Sequence, residues 1–294
     1  MQNFTYHAPA SLAEALALKN EDDTGTRFLA GGTDLFLAME FAGEPVKTVV
    51  DLKKIPELTG IEELPGGGYR LGALTLMGQI EAHQGLRAQY PALVDAATVV
   101  GGPPIRNRAT LGGNICNASP AADASTPLLA LGAELVAVSA EGERSLPLGD
   151  FWSGPRQNAL KPGELLKEVC LPALPEGGAC AFERLTRSAM DIAVVNAAAA
   201  VSLDDAGNFA SAQAALGAVG PVVLTVDGLG DALRGQPCSP EILEQVRKLA
   251  EAAAQPIDDK RASAEYRRDM AGVLAMRAVE RAQLLARQGK GDEK

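Results

Sequence analysis

The sequence predicts an α+β protein built from three consecutive units. Three observations point there. Residues 1–57 alternate helix-like and strand-like patterns around a glycine bend, Ala30-Gly31-Gly32-Thr33-Asp34. Residues 58–176 hold short strands and a hairpin signal, broken by a Gly/Pro/Asn-rich stretch from 101 to 123. Residues 177–288 change to longer strand patterns followed by two helices, after the linker Pro172-Ala173-Leu174-Pro175-Glu176-Gly177-Gly178. Residues 289–294 read as a frayed tail.

In the first unit, Ser11 with Glu14 three residues on forms a capping box, and Leu12, Ala15, Leu16 and Leu18 give the helix an apolar side. Residues 27–30 read as a buried strand, 35–39 as a helix and 49–52 as a second strand. In the second unit, 69–73 reads as a strand, Thr75 as the cap of a helix running to His83, and 90–100 as a helix ended by Gly101-Gly102-Pro103-Pro104. The stretch 101–123 reads as irregular. A short helix is expected at 126–131, a hairpin at 134–138 and 144–148 around Glu141-Gly142, and a strand at 168–171. The third unit predicts strands at 181–185, 193–203 and 209–216, with a turn at 204–208. Ser239 caps and Pro240 opens a helix to about 254, and a last helix spans 263–288 with Met270, Leu274, Ala278, Ala282 and Leu285 on one side.

Composition narrows the function. The chain has 294 residues, 47 % hydrophobic and 22 % charged, which is ordinary for a globular protein and excludes a disordered one. No apolar run approaches the roughly 20 residues that span a bilayer. The N-terminus has neither a basic patch nor an apolar signal core, so a cytoplasmic location is expected. A net charge of −10 makes nucleic acid and anionic membrane poor partners, although a local basic loop can still hold one phosphate group. The 4 cysteines fit no metal-knuckle spacing and the 2 histidines stand alone, so neither a zinc site nor a Ser-His-Asp hydrolase is expected. Few titratable catalysts and 31 glycines suit a protein that binds a reactive group rather than supplying one.

Two glycine clusters carry the candidate chemistry. At Gly31 and Gly32 the missing side chains let a ligand approach the main chain, successive N–H groups can form an anion nest, and Thr33 adds a hydroxyl. An ordinary tight turn fits the same residues. The cluster is neither a Rossmann fingerprint nor a Walker loop. The second cluster runs from Pro104-Ile105-Arg106-Asn107-Arg108-Ala109-Thr110-Leu111-Gly112-Gly113-Asn114 through Asn117-Ala118-Ser119-Pro120-Ala121-Ala122-Asp123. Its arginines, glycines, amides and carboxylate suit a ligand with a diphosphate, sugar hydroxyls and a flat polar ring. Amides near Gly112 and Gly113 are expected at phosphate oxygens, and Asp123 at ribose hydroxyls. A loop that bonds its own backbone is the structural alternative.

These two elements, together with Ser119-Pro120-Ala121-Ala122-Asp123, resemble the FAD-binding medium subunit of the xanthine dehydrogenase / carbon monoxide dehydrogenase family of molybdenum hydroxylases. The resemblance covers nearly the whole chain. It implies a vanillyl-alcohol-oxidase-type (PCMH-like) fold, with two FAD-binding subdomains (1–57 and 58–176) and a C-terminal α+β domain (177–288). It implies FAD as cofactor, with no metal and no catalytic side chain. Arg27, Phe28, Leu29, Ala30, Gly31, Gly32, Thr33 and Asp34 would form the first dinucleotide segment. Val100 and Gly101 would lie beside the flavin ring, and Thr110, Gly112, Gly113 and Asn114 along the second phosphate and ribityl segment. Asn117 and Asp123 would touch the dinucleotide further along, and Leu166 would offer an apolar contact. Arg184 would reach the ring's polar edge, and Asp191-Ile192-Ala193, through Ile192, would lie over the ring. No cysteine-rich insertion for an iron–sulfur cluster is present. The sequence also lacks the molybdenum domain and the cysteine-rich ferredoxin-like domain of such enzymes, so the resemblance implies partner chains, a molybdopterin-binding large subunit that hydroxylates substrate with water and a small [2Fe-2S] subunit. The assembly would be a dimer of heterotrimers, with NAD or another electron acceptor at its end.

Overall fold

The computed structural model describes residues 3–21, 24–41, 43 and 45–291. The chain opens with β1 (Thr5–His7), α1 (Leu12–Glu21), β2 (Thr26–Leu29), α2 (Leu35–Phe41) and β3 (Thr48–Asp51). The strands form a parallel sheet in the order β1-β3-β2. Parallel neighbours need a crossover rather than a hairpin, and α1 and α2 supply them. The expected capping box forms: Ser11 Oγ accepts the Glu14 N–H at 3.3 Å, and a Glu14 carboxylate oxygen accepts the Ala10 N–H at 3.3 Å. Ala15 and Leu16 pack on Val50 and Leu52, closing a small core under this sheet.

Next come β4 (Ile61–Glu63), β5 (Tyr69–Gly72), α3 (Met77–Ala82), α4 (Gln84–Gln89), α5 (Pro91–Thr98), α6 (Pro103–Arg106), α7 (Leu111–Cys116) and α8 (Ser125–Ala130). They are followed by β6 (Glu134–Ser139), β7 (Gly142–Pro147), β8 (Trp152–Gly154), β9 (Gln157–Asn158) and β10 (Leu165–Leu171). An antiparallel sheet runs β4-β5-β10-β6-β7, and β8 and β9 make a separate hairpin. Two expectations need correction. Thr75 does not cap α3; its hydroxyl donates to the Gly60 carbonyl at 3.0 Å. The chain is still extended at Leu76, which bridges to Thr110, and the Gln79 side chain accepts the Leu76 N–H at 2.9 Å. The stretch 101–123 is not wholly irregular, because α6 and α7 form within it. Pro103 and Thr110 start those two turns, the first by its fixed φ and the second as a side-chain cap.

The last part holds β11 (Gly178–Leu185), β12 (Val195–Leu203), β13 (Phe209–Gly217), β14 (Leu224–Thr225), α9 (Leu229–Leu233), α10 (Pro240–Ala253) and α11 (Ala264–Gly291). The four strands form one antiparallel sheet in chain order. The Ser239 hydroxyl accepts the Ile242 N–H at 3.3 Å, as its cap position predicts. The last helix continues to Gly291, through part of the expected tail; the remainder of that tail lies outside the described residues.

The alternation of β12 decides how this sheet is used. Ala197 and Ala199 face α11, against Ala275, Ala278 and Ala282, while Ala198 joins Phe182, Ala215 and the large core beneath α5 and α8. Small side chains on both faces let a helix approach from one side and the preceding units from the other. Arg267 of α11, only 4 % exposed, fastens the joint. Its guanidinium donates to the carbonyls of Val194 (2.9 Å) and Ala218 (3.0 Å) and to Asp259 (2.6 Å).

Arg267→Met should therefore destabilise the chain by roughly 2–4 kcal/mol, since buried carbonyls and a carboxylate lose their donor. A urea midpoint equal to that of the parent would contradict this. Desolvation pushes the Asp259 carboxyl up, but the Arg261 N–H and the Arg267 and Arg261 guanidinium groups outweigh it and hold it below the ordinary carboxylate range. A carboxylate with a depressed folded-state pKa stabilises above its unfolded value. That contribution should be complete above about pH 5 and erode as pH falls below it, visible as a declining urea midpoint.

Candidate cofactor site

The site is assembled by backbone rather than by side chains. Residues 109–112 are zipped onto 73–77. The Met77 N–H donates to Ala109 O (3.0 Å), Leu111 to Thr75 O (2.9 Å) and Gly112 to Ala73 O (2.8 Å). The bend at Gly31, which leaves the end of β2, packs against this segment. A Cβ at residue 31 would lie 2.1 Å from the Arg108 carbonyl oxygen, and one at 112 would lie 2.6 Å from the Ala73 methyl. Gly32 turns the chain at φ +80°, a conformation that favours glycine. Arg106 steadies the second bend from behind, with a bidentate pair to Glu81 (2.6 and 3.2 Å) and a bond to Gly101 O (3.1 Å). On the other side, Lys53 donates to Ala30 O (3.3 Å) and pairs with Asp51 (2.8 Å), whose other oxygen accepts the Tyr6 hydroxyl (2.6 Å).

Between the two bends runs a cleft of about 950 Å³. That is at the upper end for small-molecule sites and suits a dinucleotide-sized ligand. Twelve expected residues line it: Arg27, Phe28, Ala30, Gly31, Gly32, Thr33, Asp34, Val100, Thr110, Gly113, Asn114 and Asn117. Among the described residues, the N–H groups of Gly31, Gly32, Thr33 and Asp34 donate to no protein acceptor. The Asn114 Oδ1 is buried and likewise has no protein partner. A bend of unpaired donors beside an unpaired amide oxygen fits an anion next to a hydroxyl-bearing chain, as in the diphosphate and ribityl parts of FAD.

Other expected residues stand elsewhere. Leu29 points to the opposite side of β2 from its neighbours, into the core with Met39 and Val49. Leu166 is buried in the large core. The Gly112 and Gly113 amides are not free for phosphate oxygens as expected: the first donates to Ala73 O and the second to Thr110 Oγ1 at 3.0 Å. Their donors are spent on the zip and on the cap of α7, so Gly112 serves close packing. Gly101 (φ +54°) shapes the turn into α6 and is not among the lining residues. Asp123 and Arg184 are bonded to each other at 2.9 Å. Arg184 also donates to Asp191 O (2.6 Å), and Asp123 accepts from Asn196 (2.9 Å), which in turn accepts from Thr126 (2.7 Å). Burial pushes the Asp123 carboxyl up, against the pull of Arg184 and Asn196. The loop carrying Ile192, which is 52 % exposed, reaches the second bend: Met190 sulfur lies 3.8 Å from a Cβ built at Gly102.

Sequence reasoning missed Leu35, Leu37, Ala38 and Phe41 of α2, Ile105 and Ala109, and Arg156 and Asn158 of the β8–β9 hairpin, all of which line the cleft. Only the apolar side of α2 was visible in the pattern; the hairpin comes from about 40 residues downstream and carried no signal. Cys116 also lines the cleft, and desolvation pushes its thiol up to about 12, so it stays protonated at neutral pH. Its carbonyl and that of Ile115 accept from Asn158 (2.9 Å) and Trp152 (3.0 Å).

With this geometry in view, residues 2–174 match the family model of the FAD binding domain in molybdopterin dehydrogenase, and 180–282 that of the CO dehydrogenase flavoprotein C-terminal domain. The chain belongs to the FAD-binding medium subunits of the molybdenum hydroxylases. It is 34 % identical over 285 residues to the carbon monoxide dehydrogenase medium chain of Afipia carboxidovorans, covering 97 % of this chain and 98 % of that one. It is 32 % identical over 280 residues to a putative xanthine dehydrogenase FAD-binding subunit of Escherichia coli, covering 95 % of each. A reconstituted CO dehydrogenase from Oligotropha carboxidovorans superposes with a TM-score of 0.92, at 34 % identity, over 96 % of this chain and 98 % of that one. The expected vanillyl-alcohol-oxidase-type fold with its C-terminal α+β domain is borne out, as is FAD as the cofactor. In this medium subunit, Gly31 and Gly32 with Thr33 and Asp34 offer the free donors, and Asn114 the free acceptor, that would hold FAD.

Gly31→Val should strip the subunit of flavin while leaving most of its secondary structure, because the bend is forced off residue 108. Gly112→Val should lower the unfolding midpoint as well, since its side chain strikes Ala73 just after β5; overpacking of this kind typically costs about 1–3 kcal/mol. Absorbance near the flavin band and thermal unfolding distinguish them. Full flavin content in Gly31→Val would refute the assignment of that bend.

Proposed function

We propose that this chain is the FAD-carrying electron-transfer subunit of a heterotrimeric molybdenum hydroxylase, assembled as a dimer of heterotrimers. Its FAD-binding subdomains are 1–57 and 58–176, and its C-terminal domain is 177–288. It sits between the [2Fe-2S] clusters of a small partner and an acceptor such as NAD, while a molybdopterin-binding large subunit oxidises the organic substrate. FAD, when bound, supplies the redox chemistry, taking electrons singly and releasing them in pairs. The observation that carries this reading is the cleft between the two bends, with free backbone donors along Gly31–Asp34 and a wall of Thr110, Gly113, Asn114 and Asn117.

The chain's own residues bind and orient. The bend places its amides, the 73–77 zip fixes α7 against it, and the Asp123–Arg184–Asp191 chain ties the C-terminal loop to the segment after α7. Among the described residues that line the cleft, Asp34 is the one carboxylate, and the thiol of Cys116 is protonated. No general acid or base is assigned, in keeping with a subunit that relays electrons. Leu37 (54 % exposed), Phe41 (78 %) and Ile105 (43 %) line the cleft yet remain open, which supports a site completed by a ligand or a neighbouring subunit. The free cysteines fit a cytoplasmic location.

The test is co-expression with the neighbouring genes. The tagged chain should carry about one FAD and bring down a molybdenum-containing and an iron–sulfur-containing chain, and the complex should reduce NAD with substrate. Substrate turnover by the chain alone would point instead to a stand-alone flavoenzyme of this fold. A chain purified without flavin would point to a scaffold.

A further inference from the structure

Three non-glycine residues among those described have left-handed backbones: Ala118 (φ 48°), Arg156 (φ 59°) and Ala218 (φ 64°). All three meet at one segment beside the cleft. The Arg156 N–H donates to Ala118 O at 3.0 Å, and the Ala218 N–H donates to Pro120 O at 2.7 Å. Left-handed backbone is unfavourable for L-residues and gathers where function over-determines it. Ala118 and Ala218 shape the chain around 117–121. Arg156 differs because it places a long cationic side chain in the cleft wall.

Among the described residues, two cations line the cleft. Arg27 donates to Thr24 O (2.9 Å) and Thr26 O (3.2 Å). The Arg156 guanidinium has no protein acceptor among the described residues. The hairpin that carries it is strapped to the C-terminal end of α7 by the bonds from Trp152, Asn158 and the Arg156 main chain to the carbonyls of Ile115, Cys116 and Ala118. The glycine bends meet the other end of α7, at Thr110 and Gly113. A helix of that length is about 9 Å long, so the hairpin is anchored about that far along α7 from the Thr110 cap that meets the glycine bends. The cleft-lining neighbour of Arg156, Asn117, carries an amide that suits a flat ring with carbonyl edges, whereas the Asn158 amide is spent on Cys116 O and the Leu160 N–H. Arg184, by contrast, is engaged with Asp123 and Asp191 O.

Building on the assignment of this cleft to FAD, we propose that Arg156 is a further cofactor-binding residue, whose guanidinium meets the polar edge of the flavin ring where negative charge gathers on reduction. The side chain supplies a charge-assisted donor, and the left-handed backbone aims it.

The experiment uses the full chain reconstituted with FAD, as wild type, Arg156→Met, Arg156→Lys and Arg156→Gly. Arg156→Met should weaken FAD and riboflavin by the same factor, roughly tenfold for one charge-assisted hydrogen bond, and leave ADP affinity unchanged. A further tenfold loss confined to the reduced form would make the two-electron midpoint about 30 mV more negative. Arg156→Lys should recover part of both effects. Arg156→Gly should reproduce the flavin losses with an unfolding midpoint at or above that of wild type, because glycine accepts the backbone freely. Weaker ADP with unchanged riboflavin and unchanged midpoint would move Arg156 to the diphosphate or adenine and overturn the proposal. Unchanged binding and potential in Arg156→Met would overturn it outright, while wild-type protein still takes up FAD. Wild-type protein that takes up none would sink the cofactor assignment itself, and the inference with it.

Discussion

A methyl group at residue 31 would stand 2.1 Å from the Arg108 carbonyl oxygen, and everything in the cleft depends on its absence. The first bend follows a strand, the second lies between helices, and they meet main chain to main chain. One side is already committed, since Leu111, Gly112 and Gly113 give their donors to Thr75, Ala73 and the Thr110 cap. The other side, from Gly31 to Asp34, keeps its donors unspent among the described residues. The asymmetry makes mechanical sense. A rigid wall, hydrogen-bonded to the core beneath it, presents side-chain amides, and the facing loop presents N–H groups.

The C-terminal domain is attached by burial and by a few polar ties. β12 carries alanines on both faces, so it is wrapped by α11 on one side and by the large core on the other. Two networks bear on it, Thr126–Asn196–Asp123–Arg184 across the junction and Arg267 with Val194, Ala218 and Asp259 inside the C-terminal domain. Both end near the loop from 186 to 194 or near segment 117–121, so the same contacts that hold the domain also set the edge of the cofactor site. Buried polar groups of this kind are stabilising only when every partner is present, which makes the junction sensitive to single changes.

Much of the site was legible in the residues. Paired glycines after a strand, a Thr-Leu-Gly-Gly-Asn run and caps at Ser11 and Ser239 are local signals, and the structure uses them locally. Legibility failed where a residue's surroundings come from distant chain. Gly112 looked like a phosphate contact, yet its amide is claimed by Ala73. Arg184 and Asp123 looked like separate ligand contacts, yet they find each other across 61 positions of sequence. Arg156 and Asn158 gave no signal, because a two-strand hairpin reveals nothing about the helix it is strapped to.

From the residues alone came most of the longer helices and strands, the positions of the bends and the chemical class of ligand, because capping, turn geometry and alternation act over a few neighbours. Only the tertiary structure decided which amides stay free, which charges are cancelled and which side chains line the cleft. A hydrogen-bond donor can be used once, and who claims it depends on what folding brings within about 3 Å.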